Sequence, residues 1–211
     1  MTKYFPFLIL VALQLSLFAE PFEGKITFQK ITATDTSYFS YYVKNNFIKV
    51  DELTKTEQLI NSMLINLDDS SLIAISPLRK MYMTMPVQPF YGYNDSSFII
   101  QKTNSTLKLL NYTCKKWEVV NKNLKTSIEY YVASDSFDFF LPFLKITNRS
   151  EKSAGFFLQI SGAEGFFPLK SIEYNIEENT INLMLVVTKI EKMKLDDSIF
   201  EIPSDYMLFE H

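Results

Sequence analysis

The feature that most constrains the fold is a period of two in hydrophobicity, repeated along most of the chain. Residues 38–43 and 47–50 both alternate in this way, and Lys44, Asn45 and Asn46 separate them. Because successive side chains of a strand point to opposite faces, alternation is typical of a strand with one face buried. Asparagine tolerates the left-handed backbone of a tight turn, so this stretch predicts a β-hairpin.

The same pattern recurs to the end of the chain. Strands are expected at 22–32, 37–43, 47–50, 63–67, 72–76, 80–85, 106–112, 116–121, 126–133, 156–160, 169–175 and 180–190. Short strands at this spacing indicate a sandwich, a barrel, or an open barrel closed by a helix. Residues 86–105 show weak periodicity and predict a long loop or flap, which serves either as a binding surface or as a plain connection.

One segment departs from alternation and predicts a helix. Residues 134–136 offer side chains that cap a helix N-terminus, and Asp138 would lie near its positive end. Phenylalanine and leucine dominate 137–144, and Pro142 limits the length of the helix. A helix this apolar must bury most of its surface, so we expect it to pack on the concave face of the sheet.

The N-terminus predicts a secretory signal peptide at 1–19. A short basic start precedes an apolar run at 5–18, and Ala19 supplies the small residue before the cut. The run is shorter than the roughly 20 residues that span a bilayer as a helix, although an uncleaved anchor is the alternative. We therefore expect a single mature domain at 20–211 that does not span the membrane and is periplasmic or otherwise exported.

Catalytic and metal-binding motifs are absent from the sequence. The only histidine is His211, which excludes histidine-based triads and histidine metal sites. The paired carboxylates at 68–69 and 196–197 fit solvated turns better than a cation site or acid–base pair. The five glycines form no phosphate loop, and the net charge of −3 argues against nucleic acid. We expect no enzyme activity, no cofactor and no metal.

Cys114 is the only cysteine, so the fold must be held by its core rather than by disulfides. Its neighbours Lys115 and Lys116 would favour a reactive thiolate if they lay close to the sulfur. A buried, inert thiol is the favoured interpretation.

Several short motifs, in order, resemble the DUF4412 family of envelope proteins. The motifs are FEGKITF at 22–28, KVD at 49–51, KMYM at 80–83, YTCKKW at 112–117 and KLDDSIFEIPSDY at 194–206. That family is similar to the outer-membrane lipoprotein carrier fold, LolA/LolB-like. The resemblance implies a curved antiparallel sheet that forms an incomplete β-barrel, with a short helix covering an apolar hollow. The N-terminus of the expected mature chain lacks the anchoring cysteine that LolB-type proteins carry.

Function is narrowed to three hypotheses. The first is a non-catalytic envelope protein that binds a lipid, acyl chain or other apolar ligand in the hollow. The second is a structural or interaction protein with a self-filled core and an envelope protein partner, and the third is a hydrolase that uses carboxylates alone. The residues expected to bind an apolar ligand are Phe137, Phe140, Leu141 and Leu144 on a helical lid, with Tyr82 and Met83 as wall residues. Since Tyr82 and Met83 are adjacent in a strand, only one of them is expected to face the hollow.

Overall fold

The computed structural model describes residues 20–88, 97–147 and 151–209. The predicted signal peptide and residues 89–96 of the predicted flap lie outside the described residues. Strand accounts for 55% of the structure. The strands are β1 Gly24–Thr32, β2 Thr36–Lys44, β3 Phe47–Leu53, β4 Leu59–Asn66, β5 Ser71–Ser76, β6 Met81–Thr84, β7 Phe98–Leu109, β8 Tyr112–Asn121, β9 Thr126–Ser134, β10 Phe166–Asn175, β11 Thr180–Lys192 and β12 Met207–Leu208. The helices are α1 Phe140–Thr147 and α2 Lys152–Phe157, and 3-10 turns cover Pro77–Arg79 and Asp197–Phe200.

All of these strands belong to one sheet of 12 strands, in the order β12-β6-β5-β4-β3-β2-β1-β11-β10-β9-β8-β7. Neighbouring strands are antiparallel, except that β12 runs parallel to β6. The end strands β12 and β7 do not pair with each other, so the sheet is not closed. The predicted fold class is confirmed: a curved antiparallel sheet forms an incomplete barrel with a short covering helix.

The predicted hairpins are present where the turn residues suit them. β2 and β3 are joined through Asn45, whose φ of 51° is in the left-handed region that asparagine tolerates. Asn46 donates from Nδ2 to Asp68 Oδ1 at 2.6 Å, which links this turn to the one between β4 and β5. β7 and β8 are joined by Leu110 and Asn111, both with positive φ.

One strand prediction and one loop prediction are wrong. The predicted strand at 156–160 is replaced by α2, which contains Phe156 and Phe157. Both rings are buried, and two consecutive buried side chains do not fit a strand with a single buried face. The predicted flap at 86–105 includes the first residues of β7, which begins at Phe98. β7 is an end strand and is exposed along most of its length, so its first part, 98–105, carries no alternating pattern.

The predicted helix at 137–144 exists but is displaced towards the C-terminus. α1 begins at Phe140, and Phe137 precedes it. Ser136 has a φ of 55°, so the backbone leaves the helical region just before the predicted start. Pro142 lies in the first turn of α1, where a missing N–H breaks no helical hydrogen bond.

The core lies between the inner face of the sheet and the segment that carries α1 and α2. Phenylalanine rings from both helices pack against strand residues: the Phe140 ring centroid is 4.6 Å from Phe167, and that of Phe157 is 5.2 Å from Tyr130. Tyr130 is 1% exposed, and its hydroxyl donates to the carbonyl oxygen of Ser153 at 2.7 Å. This bond attaches α2 to β9 and satisfies a polar group that would otherwise be costly to bury.

Candidate functional site

The helices leave one part of the inner face uncovered, and an open groove of about 500 Å³ lies there. We call it the β3–β6 groove, because most of its wall comes from β3, β4, β5 and β6. Its lining residues are Phe39, Val50, Glu52, Asn61, Ser62, Met63, Ala74, Ile75, Ser76, Arg79, Met81, Tyr82, Met83 and Phe209.

The floor of the groove is an apolar row that crosses four strands. Val50 pairs with Met63, Met63 with Ala74, and Ala74 with Met83. Val50 is buried and belongs to the core, and Met63 packs against the core. Methionine is unbranched and flexible, so a floor with two methionines adapts to ligands of different shape.

Polar groups lie along the outer row, one pleat further from the core. Glu52 pairs with Asn61 across β3 and β4, and Asn61 Nδ2 donates to Glu52 Oε2 at 3.1 Å. The 3-10 turn between β5 and β6 brings Arg79 to the mouth, where it is exposed. Polarity therefore increases from the floor to the mouth, and the mouth carries one cationic and one anionic side chain.

The C-terminal segment borders the groove on the side of β6. The Met207 N–H donates to the Lys80 carbonyl at 3.0 Å, and the Phe209 N–H donates to the Tyr82 carbonyl at 2.8 Å. Lys80 Nζ also lies 2.7 Å from Asp205 Oδ2, and this contact raises the pKa of the lysine and lowers the pKa of the aspartate. These contacts hold Phe209 against the groove.

The structure separates the six predicted site residues into two groups. Tyr82 and Met83 line the groove. Met83 belongs to the same row as Ala74, and strand alternation puts the side chain of Tyr82 on the other face of β6. The expectation that only one of the two faces the hollow stays a prediction.

The four predicted lid residues lie elsewhere among the described residues. Phe137, Phe140 and Leu144 are buried in the core, and Leu141 packs against it half-buried. The Phe143 ring is 5.2 Å from Tyr41, which pairs with Val50, so α1 contacts the strands at the inner end of the groove. Whether these four contact a ligand stays a prediction.

Sequence reasoning missed most of the groove residues. Ala74 and Val50 occupy alternate positions of predicted strands, which is the signal available for them, but alternation does not reveal which strands are neighbours. Arg79 has no local signal, because its place at the mouth depends on how β4, β5 and β6 pair.

Other candidate reactive groups have structural roles. Cys114 is fully buried, as predicted, and burial raises the pKa of its thiol, which disfavours a reactive thiolate. Asp69 and Asp196 accept backbone N–H bonds from Ser71 and Ser198, and hydrogen bonds from these serines lower the pKa of each carboxyl group. Both aspartates are therefore turn residues. Among residues 20–88, 97–147 and 151–209, no three histidine, cysteine, aspartate or glutamate residues are placed to hold a metal ion.

Within the part of the chain that the structure describes, no helix has the length and apolarity needed to cross a membrane.

The fold and groove define a class: an open antiparallel half-barrel with two short helices against its inner face. The chain belongs to the family described as "Domain of unknown function (DUF4412)", whose model matches residues 22–206. The predicted family is thus confirmed. No curated protein matches the chain.

Solved structures extend the likeness of the fold. An uncharacterized conserved protein from Thermus thermophilus is 12% identical with a TM-score of 0.53, and the match covers 88% of each chain. A structure of the Pseudomonas aeruginosa MucA/MucB complex gives 11% identity and a TM-score of 0.53, covering 86% of this chain and 56% of that one. A LolA superfamily protein from Nitrosomonas europaea is also similar, at 12% identity and a TM-score of 0.36, covering 87% of this chain and 90% of that one.

Proposed function

We propose that this protein is a non-catalytic, exported envelope protein that binds a lipid, an acyl chain or another apolar ligand in the β3–β6 groove. The observation that carries the proposal is the groove itself: about 500 Å³ of open space over an apolar floor that the protein's own helices leave uncovered. This volume lies within the range of about 300–1,000 Å³ that is usual for small-molecule sites. Export is supported by the signal-peptide pattern at 1–19.

The binding energy would come from burial of apolar surface. Each methylene that leaves water contributes about 0.8 kcal/mol. A chain of about 12 methylenes would gain about 10 kcal/mol at that rate, which is of the same order as the 4–15 kcal/mol that association costs. The net free energy of binding is the small difference between these two contributions, so we expect weak, readily reversible binding, which suits a protein that takes up a ligand and later releases it.

The groove is open, so a ligand enters without displacement of the core. Because Phe140 and Leu144 are buried against the sheet, we assign α1 to the fixed inner wall of the barrel. The adaptable elements of the groove are the floor methionines Met63 and Met83.

A second candidate function is a structural or interaction protein that meets an envelope partner through a sheet edge. The observation that favours it is β7, an end strand whose exposed residues include Ile99 and Ile100. An exposed strand edge offers backbone groups to the extended segment of a partner. The similar MucB structure was solved in complex with MucA, so a protein partner is known for a related fold.

Filling the groove tests the proposal. Ala74→Phe places a ring on the floor between Met63 and Met83, where an apolar ligand would lie. We expect isothermal titration calorimetry with monododecanoylglycerol, an uncharged single-chain lipid, to show binding to wild type and a loss of at least about tenfold in affinity for the variant.

The matched control is Ala33→Phe, which adds the same ring at an exposed position in the turn between β1 and β2. It should bind as wild type. If Ala74→Phe does not fold, Ala74→Met tests the same position with a flexible side chain and a smaller expected loss. A folded Ala74→Phe protein that binds as tightly as wild type would contradict the assignment of the groove.

A further inference from the structure

We infer that the ligand of the β3–β6 groove is a single-chain amphiphile with a carboxylate head, a free fatty acid, and that Arg79 binds its head group at the mouth. This inference rests on the proposed function and names the class of ligand for the same site.

The volume of the groove matches one chain. A methylene group is close in size to a water molecule, whose share of liquid volume is about 30 Å³. At that size, the groove of about 500 Å³ accommodates about 16 groups. One acyl chain of common length fits this space, whereas the two chains of a diacyl phospholipid do not.

The lining of the groove changes from apolar to polar along its length, as an amphiphile does. The floor row of Val50, Met63, Ala74 and Met83 is apolar throughout. Glu52, Asn61 and Arg79 lie at the mouth, next to solvent. A ligand that is apolar along its length and polar at one end matches this gradient, and it would extend its tail towards the core.

Arg79 is the cation available to a head group. Among residues 20–88, 97–147 and 151–209 it takes part in no ion pair, and its side chain is exposed at the mouth. The adjacent Lys80 is already paired with Asp205 at 2.7 Å. A guanidinium donates two parallel N–H bonds to a carboxylate, so a carboxylate head group is the partner that fits it best.

Glu52 limits the charge of the head group. It lies on β3, two strands away from the β5–β6 turn that carries Arg79, so about 10 Å of sheet separates their backbones. With one anionic and one cationic side chain, the mouth attracts a single negative charge at Arg79 and repels an excess of negative charge at Glu52. A monoanionic carboxylate satisfies this balance better than a doubly charged phosphate.

The test compares three ligands with the same chain: dodecanoate, dodecan-1-ol and dodecyltrimethylammonium. Calorimetric titration of the wild-type protein at low ionic strength should give the highest affinity for dodecanoate, about fivefold above the alcohol, as expected for an exposed ion pair. Arg79→Gln should reduce the affinity for dodecanoate about fivefold and leave the affinity for the alcohol unchanged.

Lys108→Gln is the matched control, because it removes one exposed positive charge from β7 at the far end of the sheet. It should alter neither affinity. Equal binding of dodecanoate and dodecan-1-ol, tighter binding of the cationic amphiphile, or an Arg79→Gln protein that binds dodecanoate like wild type would each overturn this inference and leave the groove as an apolar site. Failure of the wild-type protein to bind any of the three would instead overturn the proposed function.

Discussion

Replacing Phe140 with alanine distinguishes a fixed core helix from a lid that opens. Phe140 is the first residue of α1 and is 7% exposed. Its ring centroid lies 4.6 Å from that of Phe167, 5.3 Å from Phe157, and 6.3 Å from those of Phe139 and Phe143. The ring thus joins α1 to both α2 and β10.

The cost of Phe140→Ala follows from this packing. A buried phenylalanine replaced by alanine lowers stability by about 3–5 kcal/mol, from lost transfer energy and the cavity left behind. Favourable ring pairs add about 0.5–1.5 kcal/mol each beyond area burial. Because Phe140 has ring partners on two other elements, we expect a loss of about 4 kcal/mol.

Urea denaturation monitored by circular dichroism measures this loss. The midpoint of the unfolding transition should fall, and the dependence of the free energy of unfolding on urea concentration should stay unchanged. The control is Leu78→Ala at a position that is 93% exposed, which should change the free energy of unfolding by less than about 0.5 kcal/mol. A loss below about 1 kcal/mol for Phe140→Ala, together with loss of ligand binding, would refute the reasoning and identify α1 as a mobile lid.

The remaining predictions concern two glycines and a half-buried tyrosine. An added Cβ at Gly24 would lie 2.0 Å from the Glu191 carbonyl oxygen, so Gly24→Ala should lower the free energy of unfolding in urea by at least about 3 kcal/mol. Gly162→Ala, where the nearest atom would be 3.8 Å away, should cost about 1–2 kcal/mol, and equal losses would contradict this. Burial and the Asp135 carboxylate raise the pKa of Tyr112 to about 12, so its contribution to stability is complete below about pH 10 and is lost as the pH rises towards 12. In an ultraviolet titration of phenolate, Tyr112→Phe should lack the transition near pH 12 that the wild-type protein shows. The same titration curve for the wild-type protein and the variant would contradict this prediction.

Much of the fold follows from local pattern. In strands with one buried face, such as β2, β3 and β9, apolar and polar residues alternate along the sequence. Asn45 tolerates the left-handed backbone conformation that its turn requires. β7 could not be predicted over its whole length because an exposed end strand has no buried face to impose alternation. The apolar run at 156–160 has a length that suits either a strand or a short helix, and periodicity does not separate the two, so the end of α2 is not predictable from the sequence.

The candidate site depends more on long-range pairing. Met83 could be placed on a wall because it belongs to an alternating strand, but its neighbours Ala74, Met63 and Val50 come from three other strands. Their alignment is set by hairpin register, which the sequence specifies only through turn geometry and the burial of one face. Phe140 and Leu144 were recognised as buried residues from their composition, whereas the neighbours that would bury them were not predictable.

Native mass spectrometry of residues 20–211, purified from a bacterial periplasm without detergent, tests the central claim most directly. The claim predicts an excess mass over the denatured chain that extracts into organic solvent, and a much smaller excess for Ala74→Phe prepared in the same way. A bare polypeptide mass for the wild-type protein, with no gain after incubation with fatty acids, phospholipids or acylated peptides, would contradict a ligand-binding groove and favour the interaction protein.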